Sequence, residues 1–351
     1  MKGPVRSHAV LGVVLVNYRR ADDSIECLES LLRSSIPLSV VIVDNGSGDG
    51  SLDTIGAWAE GRHRSVPASP DMARFSQPPL TKPLRHVRLS AAEAIASPPQ
   101  AALTLVDAGD NRGFAAGNNI GIKHLLRDPR IDHVWLLNND TIVDPNAAAA
   151  LLARLQAIHD IGMCGTVVRY YWQPGVIQAL NGYRFNMLTG NAAGIGAGQP
   201  ASQPFSPGSI AAQTDFVLGA SLAVSRRFIE TVGLMAEEYF LYFEEIDWAT
   251  RNAGRFGTGS APFVTGFAQG AVVYHKEGGS IGSSGIAGGR SALSDYWLAR
   301  SRLRFIRRHR PWLLPLHWLL TLGVASRRLL RGQPGKATAV VRALFGLRPN
   351  S

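Results

Sequence analysis

Cysteine is scarce in this chain of 351 residues: Cys27 and Cys164 are the only two. Both stand in apolar or helical contexts and read as reduced packing residues, which excludes a disulfide framework. Long apolar runs are missing too. The longest candidate, 312–325, is interrupted by Pro315 and His317 and falls short of the roughly 18 residues a membrane-spanning helix needs. The apolar run 9–16 follows Lys2 and Arg6 but has no small-residue cleavage pattern after it, so it reads as a first strand and not a secretory signal. Neither 46–50 nor 110–119 carries GxGxxG, and no GxxxxGKS/T occurs, which speaks against nicotinamide and P-loop sites. Charged residues are only 18% of the chain and hydrophobic ones 46%, so a globular fold of one large domain or two is expected, not disorder. Acidic residues are in deficit. The net charge of +10 favours anionic partners such as nucleotide phosphates or anionic lipid. Nucleic acid is not expected, because no recognised binding motif or aromatic basic strand platform accompanies that charge.

What is present alternates β and α through about the first 160 residues. Ala9–Val16 is an almost wholly apolar strand. Asp22–Ser34 places Ile25, Leu28, Leu31 and Leu32 on one helical face, and Ser39–Val43 is a second strand. Strand, helix, strand with polar residues at both strand ends is a right-handed βαβ unit of doubly wound type. Residues 61–100, rich in Pro, Ser, Ala and Arg, read as an irregular insertion. The strand Leu103–Val106, a helix to about Arg127, the strand His133–Leu137 and a helix from Pro145 to about His159 follow. Further on, Met163–Trp172 reads as a strand, 186–213 as a mobile loop, Asp215–Val224 as a strand bent at Gly219, Tyr239–Asn252 as an amphipathic helix and Ala271–His275 as the last strand. From Ser291 the chain is helical, basic and aromatic. The expected organisation is a doubly wound domain over 1–290 and a helical region over 291–351.

Polar clusters fall where early strands end: Asn17-Tyr18, Asp44-Asn45 and Asn138-Asn139-Asp140. In a doubly wound sheet these converge on one edge, the edge at which such sheets bind ligands. Each taken alone is also compatible with turn chemistry. Carboxylates and amides there suit a base and ribose, and a carboxylate such as Asp140 suits a divalent cation against phosphate. Asp110–Asn119 sets Arg112, Gly113 and several asparagines at a helix start, where backbone N–H groups meet phosphate. Glu244, Glu245 and Asp247 crowd beside aromatic residues. Such crowding raises at least one carboxylate pKa toward that of a general base, or else forms an acidic first turn. His275 closes an apolar strand before Lys276-Glu277-Gly278-Gly279-Ser280, a position that suits a metal ligand.

Together these pieces resemble a family-2 glycosyltransferase of the GT-A fold, and within it a bacterial rhamnosyltransferase-like branch that builds cell-surface polysaccharide. The resemblance rests on Val16-Asn17-Tyr18, Val43-Asp44-Asn45-Gly46-Ser47, Asn111-Arg112-Gly113-Phe114-Ala115 with Gly117-Asn118-Asn119, Leu137-Asn138-Asn139-Asp140-Thr141, Gly219-Ala220, Phe243-Glu244-Glu245-Ile246-Asp247 and His275. It covers about residues 9–310. It implies an α/β doubly wound, mainly parallel mixed sheet flanked by helices, with a C-terminal helical extension. It also implies an inverting, metal-dependent transfer of a sugar from a nucleoside-diphosphate donor, with rhamnose a candidate. The acceptor it implies is a glycan or polyprenyl-linked hydroxyl. Asn17, Tyr18, Asp44 and Asn45 would hold the nucleobase and ribose. Arg112, Gly113, Phe114 and Asn118 would line the diphosphate and sugar, with Asn138 and Asn139 beside them. Asp140 and His275 would hold Mg²⁺ or Mn²⁺, with Asn138 departing from the family's first Asp. Glu245 would be the base, with Glu244 and Asp247 as alternatives, and Gly219, Ala220 and Trp248 would meet the acceptor. Trp297, Leu298, Leu303, Phe305, Ile306, Trp312 and Trp318 among arginines imply contact with a membrane surface, on the cytoplasmic side. The competing class is a non-catalytic GT-A-like protein that binds nucleotide or lipid, and its motive is Asn138.

Overall fold

The computed structural model describes residues 11–252, 262–277 and 290–349. Ala9 and Val10 of the expected first strand, and the Gly278-Gly279-Ser280 segment, lie outside these. The first half runs β1 (Leu11–Asn17), α1 (Ala21–Leu31), β2 (Leu38–Asp44), α2 (Ser51–Ala59), β3 (His86–Ser90), α3 (Ala91–Ala96), β4 (Leu103–Asp107) and α4 (Phe114–Leu125). Then come β5 (His133–Asn138), β6 (Thr141–Val143), α5 (Ala147–Ala157), β7 (Ile161–Tyr170), β8 (Ile177–Leu180), β9 (Gly182–Asn186), β10 (Asn191–Gly194) and α6 (Pro207–Gln213). The chain continues with β11 (Phe216–Val217), β12 (Ser221–Ser225), α7 (Arg226–Val232), α8 (Glu244–Arg251), β13 (Val264–His275), α9 (Ala292–His309), α10 (Leu314–Leu330) and α11 (Pro334–Leu344).

The main sheet has the order β3-β4-β2-β1-β5-β12-β7-β13-β6, with β8 added on β7. From β3 to β5 every pairing is parallel; β12 is antiparallel to both of its neighbours, and β6 is antiparallel to β13. The fold is therefore α/β with a mixed, mainly parallel sheet, closed at the C-terminal end by helices α9–α11. Strands β1, β2 and β5 are apolar because both of their faces are covered. Leu11, Val13 and Leu15 pack with Ile25, Leu28 and Trp58 on one side, while Val14 packs with Ile122 and Leu125 on the other. Strand order reverses at β1, with β2 on one side and β5 on the other. The crevice beyond the carboxyl ends of β1 and β5 is thus a switch point where ligands bind.

Four expectations are corrected. Residues 61–100 are not an irregular insertion: they contain a 3₁₀ turn, edge strand β3 and helix α3, which carries a Ser90–Glu93 capping box. Buried Glu29 ties this region down, accepting from Trp58 Nε1 at 2.8 Å, Leu80 N at 2.8 Å and Lys82 Nζ at 3.0 Å. Residues 186–213 form no open loop either. They hold a hairpin between β9 and β10, turned at Gly190 (φ 69°), and helix α6. The helix expected from Tyr239 begins only at Glu244, because Tyr242 and Phe243 adopt left-handed backbone (φ 65° and 73°). Finally, Leu303, Phe305 and Ile306 are buried, so they pack α9 onto the body and do not face a membrane. Among the described residues no helix is long and apolar enough to cross a membrane.

Helix α4 lies unusually close to the sheet, and glycine makes this possible. A Cβ on Gly121 would meet Val14 Cγ1 at 2.5 Å and Val41 Cγ1 at 3.1 Å, whereas one on Gly56 in α2 meets nothing nearer than Leu105 Cδ1 at 3.8 Å. The same substitution should therefore have opposite signs at the two sites. Gly121→Ala is expected to destabilise by about 1–3 kcal/mol through overpacking, and Gly56→Ala to stabilise by about 0.5–1 kcal/mol through helix propensity. Urea unfolding of the two variants checks this.

Candidate active site

The register of the parallel strands brings the polar strand ends together: Asn17 pairs with Asp44, and Asn138 pairs with Val16, the residue before Asn17. Beneath the edge these residues build a closed network. Asn17 donates to Asp44 Oδ2 at 2.7 Å, Ser24 Oγ donates to Asn17 Oδ1 at 2.8 Å, and Asn139 Nδ2 donates to Ser24 Oγ at 2.8 Å. Ser47 supplies its N–H and its hydroxyl to the two oxygens of Asp44. Asn17 and Asp44 thus brace the edge, while Tyr18, Asn45 and Asn139 line the cleft above it.

That cleft has a volume of about 720 Å³ and runs from the strand ends to helices α9–α11. Gly113 (φ 93°) and Phe114 form part of its wall, and a Cβ at Gly113 would collide with the backbone of Phe240. Asn111 Oδ1 accepts from Gly113 N at 3.0 Å and from Asn45 Nδ2 at 3.1 Å, and so holds this loop against β2. Arg112 stands outside the wall, largely exposed, 3.5 Å from Glu237. Asn118 is buried and donates to Phe114 O at 3.0 Å, so it fastens the helix start and is not part of the cleft lining.

Asp140 and His275 meet across the cleft floor, Oδ1 to Nε2, at 3.1 Å. Strand pairing fixes this: β13 runs antiparallel to β6, with His275 opposite Thr141, and Lys276 N donates to Asp140 O at 3.0 Å. Lys276 is itself buried, with Nζ 2.6 Å from both Asp23 and Glu26. Burial opposes the charge on Asp140, but His275 and Lys276 outweigh it and hold the carboxyl below its ordinary value. Burial also opposes the imidazolium of His275, and Asp140 with Glu277 outweighs that, holding the group above its usual range. His275 Nδ1 lies 2.9 Å from Gln178 Oε1. A donated Nδ1–H would leave Nε2 as the lone-pair atom facing Asp140, the arrangement of a metal-binding histidine with its supporting acceptor. Asn138 Nδ2 is 3.4 Å from the same Nε2. Among the described residues no group of three or more His, Cys, Asp or Glu is arranged to hold a metal ion. The pair with the Asn138 amide therefore fits a cation that completes its shell with diphosphate oxygens and water, as Mg²⁺ does.

The acidic segment divides by environment. The left-handed pair Tyr242–Phe243 turns the chain so that Glu244 and Glu245 open α8 on the cleft wall. Phe243 is wedged against Phe185 and Phe305, which fixes the turn. Glu244 is 1% exposed, and its Oε1 has no hydrogen-bond partner. Burial, reinforced by the neighbouring Glu245, raises its pKa well above the carboxylate range. Burial pushes Glu245 up to about 7. Its carboxylate lies against Gly219, where a Cβ would collide with it; Gly219 and Ala220 thus line the cleft beside Glu245. Asp247 is excluded as a base. It is buried under Arg251 (2.8 Å), His309 (2.7 Å), Tyr239 (3.2 Å) and Arg308 (3.5 Å), and despite its burial His309 and Arg251 hold it below the usual range. Trp248 is fully buried, donates to Gly233 O at 2.8 Å and stacks edge-on with Phe228, so it does not reach an acceptor.

Sequence reasoning missed Gln178, Tyr183, Phe240 and Arg302, all of which line the cleft. Gln178 had no local signal, because it reaches His275 only through the antiparallel pairing of β8 with β7.

No protein-family model matches the chain, and no curated protein matches its sequence. Among solved structures it is similar to the mannosyltransferase PcManGT from Pyrobaculum calidifontis, solved with GDP-Man and Mn²⁺. That match has 14% identity and a TM-score of 0.49, over 98% of this chain and 90% of that one. It is also similar to S. aureus TarS 1-349, at 12% identity and a TM-score of 0.48, over 95% and 81% of the two chains. A further match is GalNAc-T7 with UDP, GalNAc and Mn²⁺, at 11% identity and a TM-score of 0.47, over 86% of this chain and 48% of that one. Likeness at this level leaves function to be argued from the residues of the cleft.

The two kinds of acid should separate in stability. Asp247→Ala leaves buried cations uncompensated and is expected to cost about 3–5 kcal/mol. For Glu245 the sign is reversed. A carboxyl raised in the folded state binds its proton more tightly there, so stability falls as pH rises from the ordinary carboxylate value toward about 7. Glu245→Gln should lessen that fall, leaving the share due to Glu244, and unfolding of both variants at pH 5 and pH 8 reads the contrast.

Proposed function

We propose that the chain is an inverting glycosyltransferase of GT-A type that uses a nucleoside-diphosphate sugar. One observation carries the reading. A carboxylate poised at about 7 (Glu245) shares a single cleft with an Asp140–His275 pair at a parallel-sheet switch point. Asn45 and Tyr18 take the nucleoside end, and the Gly113–Phe114 loop lies along the diphosphate. Asp140 and His275, with the Asn138 amide, would hold Mg²⁺ or Mn²⁺, which supplies positive charge for the departing diphosphate. Glu245 takes the proton of an acceptor hydroxyl; that oxygen bonds to the anomeric carbon from the face opposite the leaving group. The bond from carbon to diphosphate oxygen breaks, and the configuration inverts. Burial disfavours the charged form of Glu244 beside it, which keeps a second negative charge away from the base.

Residues 1–290 form the transferase body in this reading, and 291–351 a helical extension that completes the cleft. Rhamnose is the candidate sugar, by the sequence resemblance alone, and a glycan or polyprenyl-linked hydroxyl in surface polysaccharide synthesis the candidate acceptor. Attachment to the inner face of the cell membrane is supported by the exposed side of α10 and its flanks. There Trp312 (69% exposed), Leu319 (67%) and Leu330 (89%) stand among arginines. A second reading, a binder without turnover, is favoured only by Asn138, an amide where a carboxylate would hold a cation more strongly.

A thermal-shift screen of UDP, GDP and dTDP with and without Mn²⁺ is expected to give cation-dependent stabilisation by at least one of them, lost in Asp140→Asn. No stabilisation by any nucleotide would overturn the donor site. Glu245→Gln should keep nucleotide binding and lose transfer by about 100-fold or more, whereas full binding with no turnover in the unaltered protein would favour the binder. The rate should fall about tenfold per pH unit below about 7, as Glu245 takes up its proton.

A further inference from the structure

The end of the cleft remote from Asp140 is basic in a way that the donor does not require. Helices α9 and α10 bring Arg302, Arg327 and Arg328 to its wall. Arg328 is neutralised by Asp295, Nε to Oδ2 at 2.8 Å. Arg302 is not. Its Nη2 donates to Thr321 Oγ1 at 2.7 Å, its Nε is buried without an acceptor, and among the described residues no carboxylate pairs with it. Its stem lies under the β9–β10 turn, where a Cβ on Gly190 would meet Arg302 Cδ at 2.6 Å. Beside it His317 is buried, with Nε2 3.0 Å from Met187 O. Burial with no compensating acid depresses the Arg302 pKa. A guanidinium fixed by packing and a hydroxyl, with an unused N–H and no counter-charge, is costly in a folded protein unless an anion completes it.

We propose that Arg302, assisted by Arg327 at the rim, binds a phosphate group carried by the acceptor. The inference rests on the donor reading above. It deepens that reading by fixing the acceptor's class: a hydroxyl compound bearing a phosphate or diphosphate ester. Three features assign the anion to the acceptor and not to the donor. Arg302 lies on α9, beyond the turn that delivers Glu245; Ser301 beside it is tied to Leu241 O at 2.8 Å; and the donor end already has its own cation-holding pair. The aromatic stack of Phe240 on Trp297, with ring centroids 4.5 Å apart, lies on the same wall and offers an apolar face to the sugar or isoprenoid attached to that phosphate.

The test is calorimetric titration of the full chain in EDTA, so that cation-dependent nucleotide sites are silent, with glucose 1-phosphate, geranyl diphosphate and glucose as probes. One or both phosphate esters should bind and glucose should not. Binding by geranyl diphosphate alone identifies an isoprenoid-linked phosphate, and binding by glucose 1-phosphate alone a water-soluble sugar phosphate. Arg302→Gln should weaken the binding at least tenfold, Arg302→Lys less, and Arg331→Gln, which removes an equal charge from an exposed position, should leave it unchanged. Nucleoside diphosphate binding with Mn²⁺, measured separately, should be the same in all four proteins. It also reports that each variant is folded. Equal anion binding in Arg302→Gln and the unaltered protein overturns the proposal. So does loss of nucleotide and anion together in a folded Arg302→Gln, which would move Arg302 to the donor. Failure of nucleotide binding in the unaltered protein would instead count against the transferase reading, whatever Arg302 does.

Discussion

Burial of both faces of β1, β2 and β5 is the constraint from which the rest follows. A strand covered by α1 and α2 on one side and α4 on the other has no place for a polar side chain until it leaves the sheet. The polar residues of three strands are thereby forced to the same edge. The parallel ladder sets Asn17 level with Asp44, and Asn138 level with Val16, one residue before Asn17. Once there, they must satisfy one another, and the Asn17–Ser24–Asn139 and Asn17–Asp44–Ser47 bonds do so. A floor that is hydrogen-bonded from below leaves its upper atoms free for a ligand.

Those apolar runs ending in Asn and Asp are why so much of the core was legible from sequence. Period and composition mark a doubly covered strand, and the polar stop marks its edge. The elements held by distant partners were not legible. Strand β3 is polar and half exposed, and it exists because β4 pairs with it and Glu29 holds the segment before it. The hairpin of β9 and β10 looked like loop because its glycines and short polar residues carry no period. The helix start at Glu244 was missed because no glycine marks the left-handed turn at Tyr242–Phe243, where Phe243 packs on rings from β9 and α9.

The same division applies to the acids of α8. Sequence spacing puts Glu244, Glu245 and Asp247 together but cannot say which will be neutralised. Helix α9 decides it: His309 and Arg308 arrive over Asp247 and, with Arg251, convert it into a clamp between α8 and α9. Glu245, two residues beyond the left-handed turn, has no such cation among the causes that shift it, and burial dominates. Trp248 looked available beside these acids and is instead a core residue, fully buried against Phe228 with its indole N–H on Gly233 O.

The hydrogen bond from Phe114 N to Phe240 O, at 3.0 Å, has a mechanical meaning. It joins the glycine loop at the start of α4 to the segment that, a few residues later, turns into Glu244 and Glu245. With no room for a side chain at Gly113, the two backbones lie in direct contact. The α4 loop and the segment leading to Glu244 and Glu245 are thus fastened main chain to main chain, with no side chain between them to take up slack.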